Sequence, residues 1–179
     1  MKNLIVYFSH SSNNKQLVVE LKSKLNCDII QIKEVNKRSG FTILMDVMFR
    51  RNPAMQEVST DIKMYDHIIF VAPVWAGRIA SPLKSYILQH KRDIHSYSFI
   101  TVCSGVSGQK KKIEMELTHL AAKSPMVVTE LWINDLLPED RKNKIKYVTP
   151  YRVKPNEFIV FEQPIQKHID TIASEFSRG

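Results

Sequence analysis

A run of hydroxyl and amide side chains near the N-terminus has the composition of a phosphate site. It reads Ser9-His10-Ser11-Ser12-Asn13-Asn14 and joins an apolar run to a helical pattern. Successive backbone N–H groups at the start of a helix, reinforced by the helix dipole, bind phosphate without an arginine. We therefore expect a phosphate here, held by these N–H groups and by the side chains of Ser9, Ser11, Asn13 and Asn14. A polar turn with capping residues is the alternative, because the spacing matches neither a P-loop nor a G-x-G-x-x-G fingerprint.

A second run combines an aromatic ring, a glycine and a cation. It reads Pro73-Val74-Trp75-Ala76-Gly77-Arg78 and is followed by Ser81-Pro82-Leu83. The indole of Trp75 offers a flat face to a planar ligand, and Gly77 allows a backbone conformation that other residues resist. We expect this run to contact a planar ligand, with Arg78 as a cation beside it. A tryptophan that only packs the loop against the protein is the alternative.

A third run places two glycines among hydroxyl side chains. It reads Cys103-Ser104-Gly105-Val106-Ser107-Gly108-Gln109. Because Gly105 and Gly108 have no side chain, the backbone can approach a planar ligand closely at both positions. A flexible turn that Ser107 caps is the alternative interpretation.

The apolar pattern around these three runs predicts strands that alternate with helices. Five compact apolar runs are typical of strands covered on both faces: Asn3–Phe8, Asp28–Ile32, His67–Ala72, Tyr97–Cys103 and Met126–Ile133. Helical spacing follows at Leu17/Leu21/Leu25, Leu83/Ile87, Ile113/Leu117/Leu120 and Ile165/Ile169/Ile172, with Ser81-Pro82 as an N-cap and first helical position. This alternation predicts a parallel α/β sheet with helices on both faces, and ligands then bind where the strands end. The three polar runs follow strands one, three and four, so they should meet at that edge.

Two segments fit the alternation less well. Phe41–Arg51 is amphipathic and predicts an irregular second helix, whereas Asn134–Glu162 is long for a connection between elements. Within this connection, Phe158–Phe161 has the composition of a short edge strand. Because there is no internal repeat and no linker, we interpret residues 1–179 as a single domain.

The three loops, in this order, resemble those of the flavodoxin family. Phe8–Asn14 is similar to the family's aromatic-Ser-x-Thr-Gly-Asn-Thr signature, and Pro73–Arg78 is similar to its proline-aromatic-x-glycine loop. The resemblance covers Met1–Ser124 and implies a flavodoxin-like, doubly wound sheet of five parallel strands in the order 2-1-3-4-5, with FMN as cofactor. The first loop would hold the FMN phosphate, and the other two would bracket the isoalloxazine ring. The cofactor-binding residues so implied are Ser9, His10, Ser11, Ser12, Asn13, Asn14, Pro73, Val74, Trp75, Ala76, Gly77, Arg78, Ser104, Gly105 and Gly108.

The chain departs from the family pattern in four respects. Ser12 occupies the position of the signature glycine, and Asn14 that of the final threonine. The third loop has no tyrosine to form a second aromatic wall for the ring. Finally, electron-carrying flavodoxins are typically acidic, whereas this chain has 26 Lys and Arg against 18 Asp and Glu, a formal charge of +8. The charge argues against the carrier function more than against the cofactor.

Part of the positive charge is concentrated in one stretch. Between Arg141 and Lys154 there are six basic residues and no acidic one: Arg141, Lys142, Lys144, Lys146, Arg152 and Lys154. Such a surface favours anionic partners, including phosphorylated ligands, acidic proteins and nucleic acid. A solvated loop with no partner is the alternative.

Several other chemistries are excluded by the residues present. A receiver domain needs an aspartate after strand three, where this chain has Ala72-Pro73, and a low-molecular-weight phosphatase needs an arginine where Gln109 follows Cys103. The 6 histidines show no metal-binding spacing, and 2 cysteines make no disulfide framework. No apolar run approaches the roughly 20 residues that span a bilayer, and the N-terminus has the pattern of a first strand. We therefore expect a cytoplasmic protein without membrane insertion.

Two classes of function remain open. In the first, the protein binds FMN and transfers electrons, either as a carrier that meets a redox partner protein or as an oxidoreductase that takes a hydride from NAD(P)H. In the second, it has the fold without the flavin and binds an acidic protein or nucleic acid through its basic face. The loop at Trp75–Gly77 favours the first class, whereas Ser12 and the positive charge favour the second.

Overall fold

A sheet of five parallel strands forms the centre of the structure. The computed structural model describes residues 1–33 and 60–177. The main strands are β1 (Asn3–Tyr7), β2 (Asp28–Gln31), β3 (His67–Val71), β6 (Tyr97–Cys103) and β7 (Val128–Trp132), and a separate hairpin consists of β4 (Val74–Trp75) and β5 (Arg78–Ile79). The sheet has the order β2-β1-β3-β6-β7. Without the hairpin strands this is 2-1-3-4-5, so the predicted doubly wound α/β fold is confirmed.

The predicted helical spacings coincide with helices. Within residues 1–33 and 60–177 the helices are α1 (Asn13–Lys24), α2 (Ser81–His90), α3 (Gln109–Ala121), the short α4 (Ile145–Val148) and α5 (Glu162–Phe176). The capping residue of α2 is Ala80 rather than the expected Ser81, which is already helical. Among the described residues, no helix is both long and apolar enough to cross a membrane.

Each face of the sheet has its own apolar core, which explains why the strand sequences are continuously apolar. In β3, Ile68 and Phe70 pack in the cluster that contains residues of α2 and α3. The intervening Ile69 and Val71 pack in the cluster that contains residues of α1 and α5. Since both faces are covered, each position of β3 is buried, and every large apolar side chain there contributes about 1.5–3 kcal/mol of transfer free energy.

The long connection after β7 is folded onto the protein. It contains 3-10 turns at Ile133–Leu136, Glu139–Arg141 and Pro155–Phe161 as well as helix α4. The expectation of an edge strand at Phe158–Phe161 is wrong, because this segment is 3-10 helical. The three-residue step of such a helix buries Phe158 and Phe161 on one face and leaves Ile159 and Val160 exposed.

Two sequence-based expectations are not tested by the described residues. The irregular helix predicted for Phe41–Arg51 lies outside them. The interpretation of residues 1–179 as a single domain also stays a prediction.

A chain of buried polar side chains crosses the sheet near its amino-terminal edge. The Oγ atom of Ser98 lies 3.0 Å from Nε2 of His67 and 3.1 Å from Nε2 of His168. The remaining ring nitrogens meet Ser96 Oγ at 2.8 Å and Thr129 Oγ1 at 2.9 Å. Burial lowers the pKa of His67 to about 4. Burial, followed by the charges of His67 and Lys110, lowers the pKa of His168 to about 3. Both histidines are therefore neutral in the folded protein at neutral pH.

This network predicts that the protein loses stability on acidification. In the unfolded chain both histidines bind protons below their ordinary pKa of about 6.5, whereas in the folded protein they stay neutral down to about pH 4. The free energy of unfolding should thus fall as the pH drops below about 6.5, and His67 alone should account for a loss of about 3 kcal/mol by pH 4. Denaturant unfolding at several pH values measures this dependence.

A matched pair of variants separates these histidines from other titrating groups. His168→Gln should flatten the pH dependence between pH 6.5 and 4, even if it lowers the stability at neutral pH. His95→Gln, which changes an exposed histidine, should leave the dependence as in the wild type. An unchanged slope in His168→Gln would contradict the assignment.

Candidate functional site

The three polar runs meet where neighbouring parallel strands end. They follow β1, β3 and β6, which pair side by side in the sheet. Hydrogen bonds hold the strand ends together at this edge. The backbone N–H of Phe8 donates to the carbonyl of Val71 at 2.9 Å, and the hydroxyl of Thr101 donates to the carbonyl of Ala72 at 2.7 Å. The sheet topology thus brings together the three loops at residues 8–14, 72–80 and 103–109.

The first loop presents hydroxyl groups and N–H groups at the start of α1. Ser9 and Ser11 are partly exposed, and His10 and Ser12 are exposed. Ser12 precedes the helix with a φ of 72° and makes no side-chain capping bond. This left-handed conformation is the one that a glycine adopts without strain, so the fold imposes it here on a serine. Ser9 Oγ accepts from the backbone N–H of Lys15 at 3.2 Å, which closes the loop onto the first helical turn.

The side chains of Asn13 and Asn14 do not line this loop as expected. Both are buried and bind backbone groups of other segments. Asn14 donates to the carbonyl of Val102 at 3.3 Å and accepts from its N–H at 3.0 Å. Asn13 donates to the carbonyl of Tyr151 and accepts from the N–H of Val153, both at 3.0 Å. In this structure the two amides position the loop, and their direct binding to a phosphate stays a prediction.

The second loop is a tight hairpin seated against the first loop. Ala76 and Gly77 have φ values of 49° and 72°, as in a two-residue type I′ turn, which turns β4 directly into β5. The half-buried ring of Trp75 lies 6.2 Å from the ring of Phe8 and 6.0 Å from that of His10, and both contacts are close to perpendicular. Because of these contacts, the indole lies directly beside the first loop.

Arg78, the cation expected beside the ligand, lies near the carboxylate of Glu116 in α3. Arg78 Nη1 lies 4.0 Å from Oε1 of Glu116, which also pairs with Lys84. The other carboxylate oxygen accepts from the backbone N–H of Ile79 at 2.9 Å. Glu116 thus fixes the hairpin to α3, and its negative charge weakens the field of Arg78 at the site.

The conformation of the third loop depends on packing as well as on the backbone freedom of its two glycines. Gly105 has a φ of 83°, and a Cβ atom there would lie 2.6 Å from Cγ of Trp132. The glycine is thus required by the half-buried tryptophan side chain behind it. Gly108 also has a positive φ but has open space around it, and it leads into α3 as the residue before the helix. Ser104 is exposed between β6 and these glycines.

The thiol at the start of this loop lies in the environment of a core residue. Cys103 is buried, and its desolvation, together with the nearby charge of Glu130, raises the pKa to about 12. Gln109 donates to Glu130 at 2.6 Å and to the sulfur at 3.5 Å, so the group lies in a packed polar cluster. This agrees with the interpretation of Cys103 as a small core residue.

Sequence reasoning missed the contribution of the long connection. The amide of Asn134 donates to the carbonyl of Gly105 at 3.3 Å and to the side chain of Asn143 at 2.9 Å. Tyr151 and Val153 bind Asn13, as described above. The unusual length of the connection was the only signal, and it did not say which residues would reach the loops.

The donor set at this edge fits a phosphate-bearing planar ligand such as FMN. Residues 9–14, 73–80 and 104–109 contain no aspartate or glutamate. Hydroxyl groups and helix N–H groups of the first loop suit a phosphate, while Trp75 and the backbone of the two other loops suit a flat ring.

The structural role of Asn14 predicts the effect of removing its amide. Asn14→Ala would leave the buried N–H of Val102 without its partner and the C=O of Val102 with only the Thr101 hydroxyl at 3.3 Å, so it should destabilise the protein without added ligand by roughly 1–3 kcal/mol. Denaturant unfolding measures this loss. Ser11→Ala is the control, because its partly exposed hydroxyl lies in the same loop, and it should change the stability by less than about 0.5 kcal/mol. Equal stability of Asn14→Ala and the wild type would contradict the positioning role.

Comparison with known proteins agrees with the fold. The sequence model of one family, described as NADPH-dependent FMN reductase, matches residues 1–134. No curated protein matches the chain. Among solved structures, a flavoprotein from Lactobacillus acidophilus NCFM in complex with FMN is similar with a TM-score of 0.63 and 21% identity, over 72% of this chain and 92% of that chain. A protein from Bacteroides eggerthii DSM 20697 has a TM-score of 0.63 and 14% identity, over 86% and 99% of the two chains.

At 21% and 14% identity the solved structures show the fold alone, whereas the match to the family model also shows the family. It covers residues 1–134 of 179 and includes all three loops. The match confirms the resemblance to flavodoxin-like, FMN-binding proteins and the predicted cofactor, FMN. The chain belongs to the NADPH-dependent FMN reductase family.

Proposed function

We propose that this protein is an FMN-dependent oxidoreductase that takes a hydride from NAD(P)H and passes the electrons to an acceptor. One observation carries the proposal: the serine-rich turn at the start of α1 and the half-buried Trp75 lie side by side at the edge where β1, β3 and β6 end. Family membership supports NADPH as the donor. Bound FMN would supply the redox chemistry, and the protein would bind and orient it.

The first loop is proposed to hold the phosphate. Ser9, Ser11 and Ser12 offer hydroxyl groups, and the backbone N–H groups at the start of α1 point along the positive end of the helix dipole. His10 borders the loop through its ring contact with Trp75. Asn13 and Asn14 keep these donors in place through their bonds to Val153 and Val102.

The other two loops are proposed to bracket the ring. Trp75 would contact one side of it, with Pro73, Val74 and Ala76–Gly77 forming the wall of the hairpin. Ser104, Gly105 and Gly108 would bring backbone close to the ring from the third loop. Arg78 stays a proposed neighbour of the ring, with its charge partly balanced by Glu116.

The charge of the chain favours a reductase over a carrier. NADPH carries several phosphate charges, so a formal charge of +8 raises its local concentration at the surface. An electron carrier would instead use the same charges to meet an acidic redox partner protein. The two activities differ in one requirement, since only the reductase oxidises NAD(P)H without a second protein.

The proposal predicts FMN binding and an FMN-dependent oxidation of NAD(P)H. Purified protein titrated with FMN should shift the visible flavin spectrum and quench its fluorescence. With FMN bound, the protein should oxidise NADPH or NADH in the presence of a small-molecule acceptor. Binding without oxidation of either nucleotide would favour the carrier, and absence of FMN binding would overturn the proposal.

Variants of Trp75 test whether the hairpin contacts the ring. Trp75→Ala removes the aromatic surface and should weaken FMN binding about tenfold, since aromatic contacts and their burial contribute on the order of 1–2 kcal/mol. Trp75→Phe keeps a flat ring and serves as the matched control, with less than about threefold loss. Riboflavin, which has the ring without the phosphate, should show the same ratio between the two variants. Equal affinities of Trp75→Ala and the wild type would place the ring elsewhere.

A further inference from the structure

We propose that Arg152 strengthens the binding of the FMN phosphate, so that the long connection after β7 completes the phosphate site. Arg152 lies outside residues 1–134, the part that the family model matches. The inference rests on the FMN binding of the proposed function and adds to it a residue that the three loops do not contain.

The position of Arg152 is determined by the first residue of α1. The buried amide of Asn13 binds both neighbours of Arg152. Its Nδ2 donates to the carbonyl of Tyr151, and its Oδ1 accepts from the N–H of Val153, both at 3.0 Å. These two bonds hold the backbone around Arg152 against the N-terminus of α1. The residue before Asn13 is Ser12, which belongs to the proposed phosphate loop.

The guanidinium group of Arg152 is turned back towards the carbonyl of Tyr151, which Asn13 also binds. Arg152 Nη1 donates to the carbonyl of Tyr151 at 3.0 Å and to that of Thr149 at 3.3 Å. The Tyr151 oxygen therefore accepts from Asn13 and from Arg152 at once. Through this shared acceptor, the positive charge of Arg152 lies beside the start of α1, and Nη1 is the only guanidinium nitrogen with a hydrogen bond among the described residues.

The surrounding segment is held firmly on its other side. The hydroxyl of Tyr151 donates to Oε1 of Glu157 at 2.6 Å, and the backbone N–H of Lys154 donates to Oε2 at 2.7 Å. Glu157 thus bridges the residues that flank Arg152 and Val153. Because both sides are anchored, Arg152 does not need to order a flexible loop when a phosphate binds, which reduces the entropic cost.

Arg141 and Lys142, which belong to the same basic stretch, each have an acidic neighbour. Lys142 pairs with Glu139 at 2.6 Å, and Arg141 lies 3.9 Å from Asp140 and over the ring of Tyr147. For Arg152, no carboxylate within residues 1–33 and 60–177 lies at ion-pair distance. Its charge is therefore available to an anion, whereas those of Arg141 and Lys142 are balanced locally. Arg141 provides a control from the same stretch.

Comparison of FMN with riboflavin isolates the phosphate. Both ligands have the same ring, so a cation that acts on the phosphate changes only the affinity for FMN. In Arg152→Ala the affinity for FMN should fall about three- to tenfold at low salt, while the affinity for riboflavin stays within about twofold of the wild type. Arg152→Lys should retain most of the FMN affinity. Arg141→Ala, which removes a charge from the same stretch, should leave both affinities unchanged.

The salt dependence gives a second readout. Added salt should weaken FMN binding by the wild type more than by Arg152→Ala, because the variant lacks the screened charge. Equal loss of FMN and riboflavin affinity would show a structural effect and overturn the proposal, as would an unchanged FMN affinity. If the wild type binds FMN, such results leave the proposed function intact. If the wild type binds no FMN, the proposed function and this inference fail together.

Discussion

Two buried asparagine amides hold together the parts from which the site is built. Asn14 binds both backbone groups of Val102, just before the third loop, and Asn13 binds the carbonyl of Tyr151 and the N–H of Val153 in the long connection. Unsatisfied backbone groups at buried positions are costly, so these bonds determine how the start of α1 sits against its neighbours. The turn at Ser12, the contact of His10 with Trp75 and the place of Arg152 all depend on this position.

Polar side chains at one end of the sheet are hydrogen-bonded within the protein, whereas those at the other end are accessible. Near the amino-terminal edge, His67, Ser98 and His168 form a closed network in which the hydroxyls and ring nitrogens have partners within the protein. At the opposite edge, the hydroxyls of Ser9, Ser11 and Ser12 are at least partly exposed. Groups bonded internally stabilise the fold, whereas accessible groups are available to a ligand. This division supports the carboxyl-terminal edge as the binding edge.

The departures from the family signature are compatible with the same fold. Ser12 adopts a φ of 72° although it is not a glycine, so the turn is retained at a cost in backbone strain. Asn14, in place of a threonine, exchanges a hydroxyl in the proposed phosphate loop for an amide that ties α1 to β6. The connection after β7 then supplies Arg152 beside α1. A cation from this segment can offset interactions that the altered signature lacks.

The sequence by itself determined the five main strands, the longer helices and their order, because each strand is a compact apolar run and each helix has an apolar period that the chain must bury. The apolar pattern placed β1, β3 and β6, and the polar runs after them predicted which loops meet. It failed at Phe158–Phe161, since a short apolar run fits a strand and a 3-10 helix equally well. Only the tertiary structure decided that Asn13 and Asn14 bind distant backbone, that Gly105 makes room for Trp132 and that Arg152 shares the carbonyl of Tyr151 with Asn13. These contacts join residues far apart in the chain, and no local pattern records which distant partner a side chain will meet.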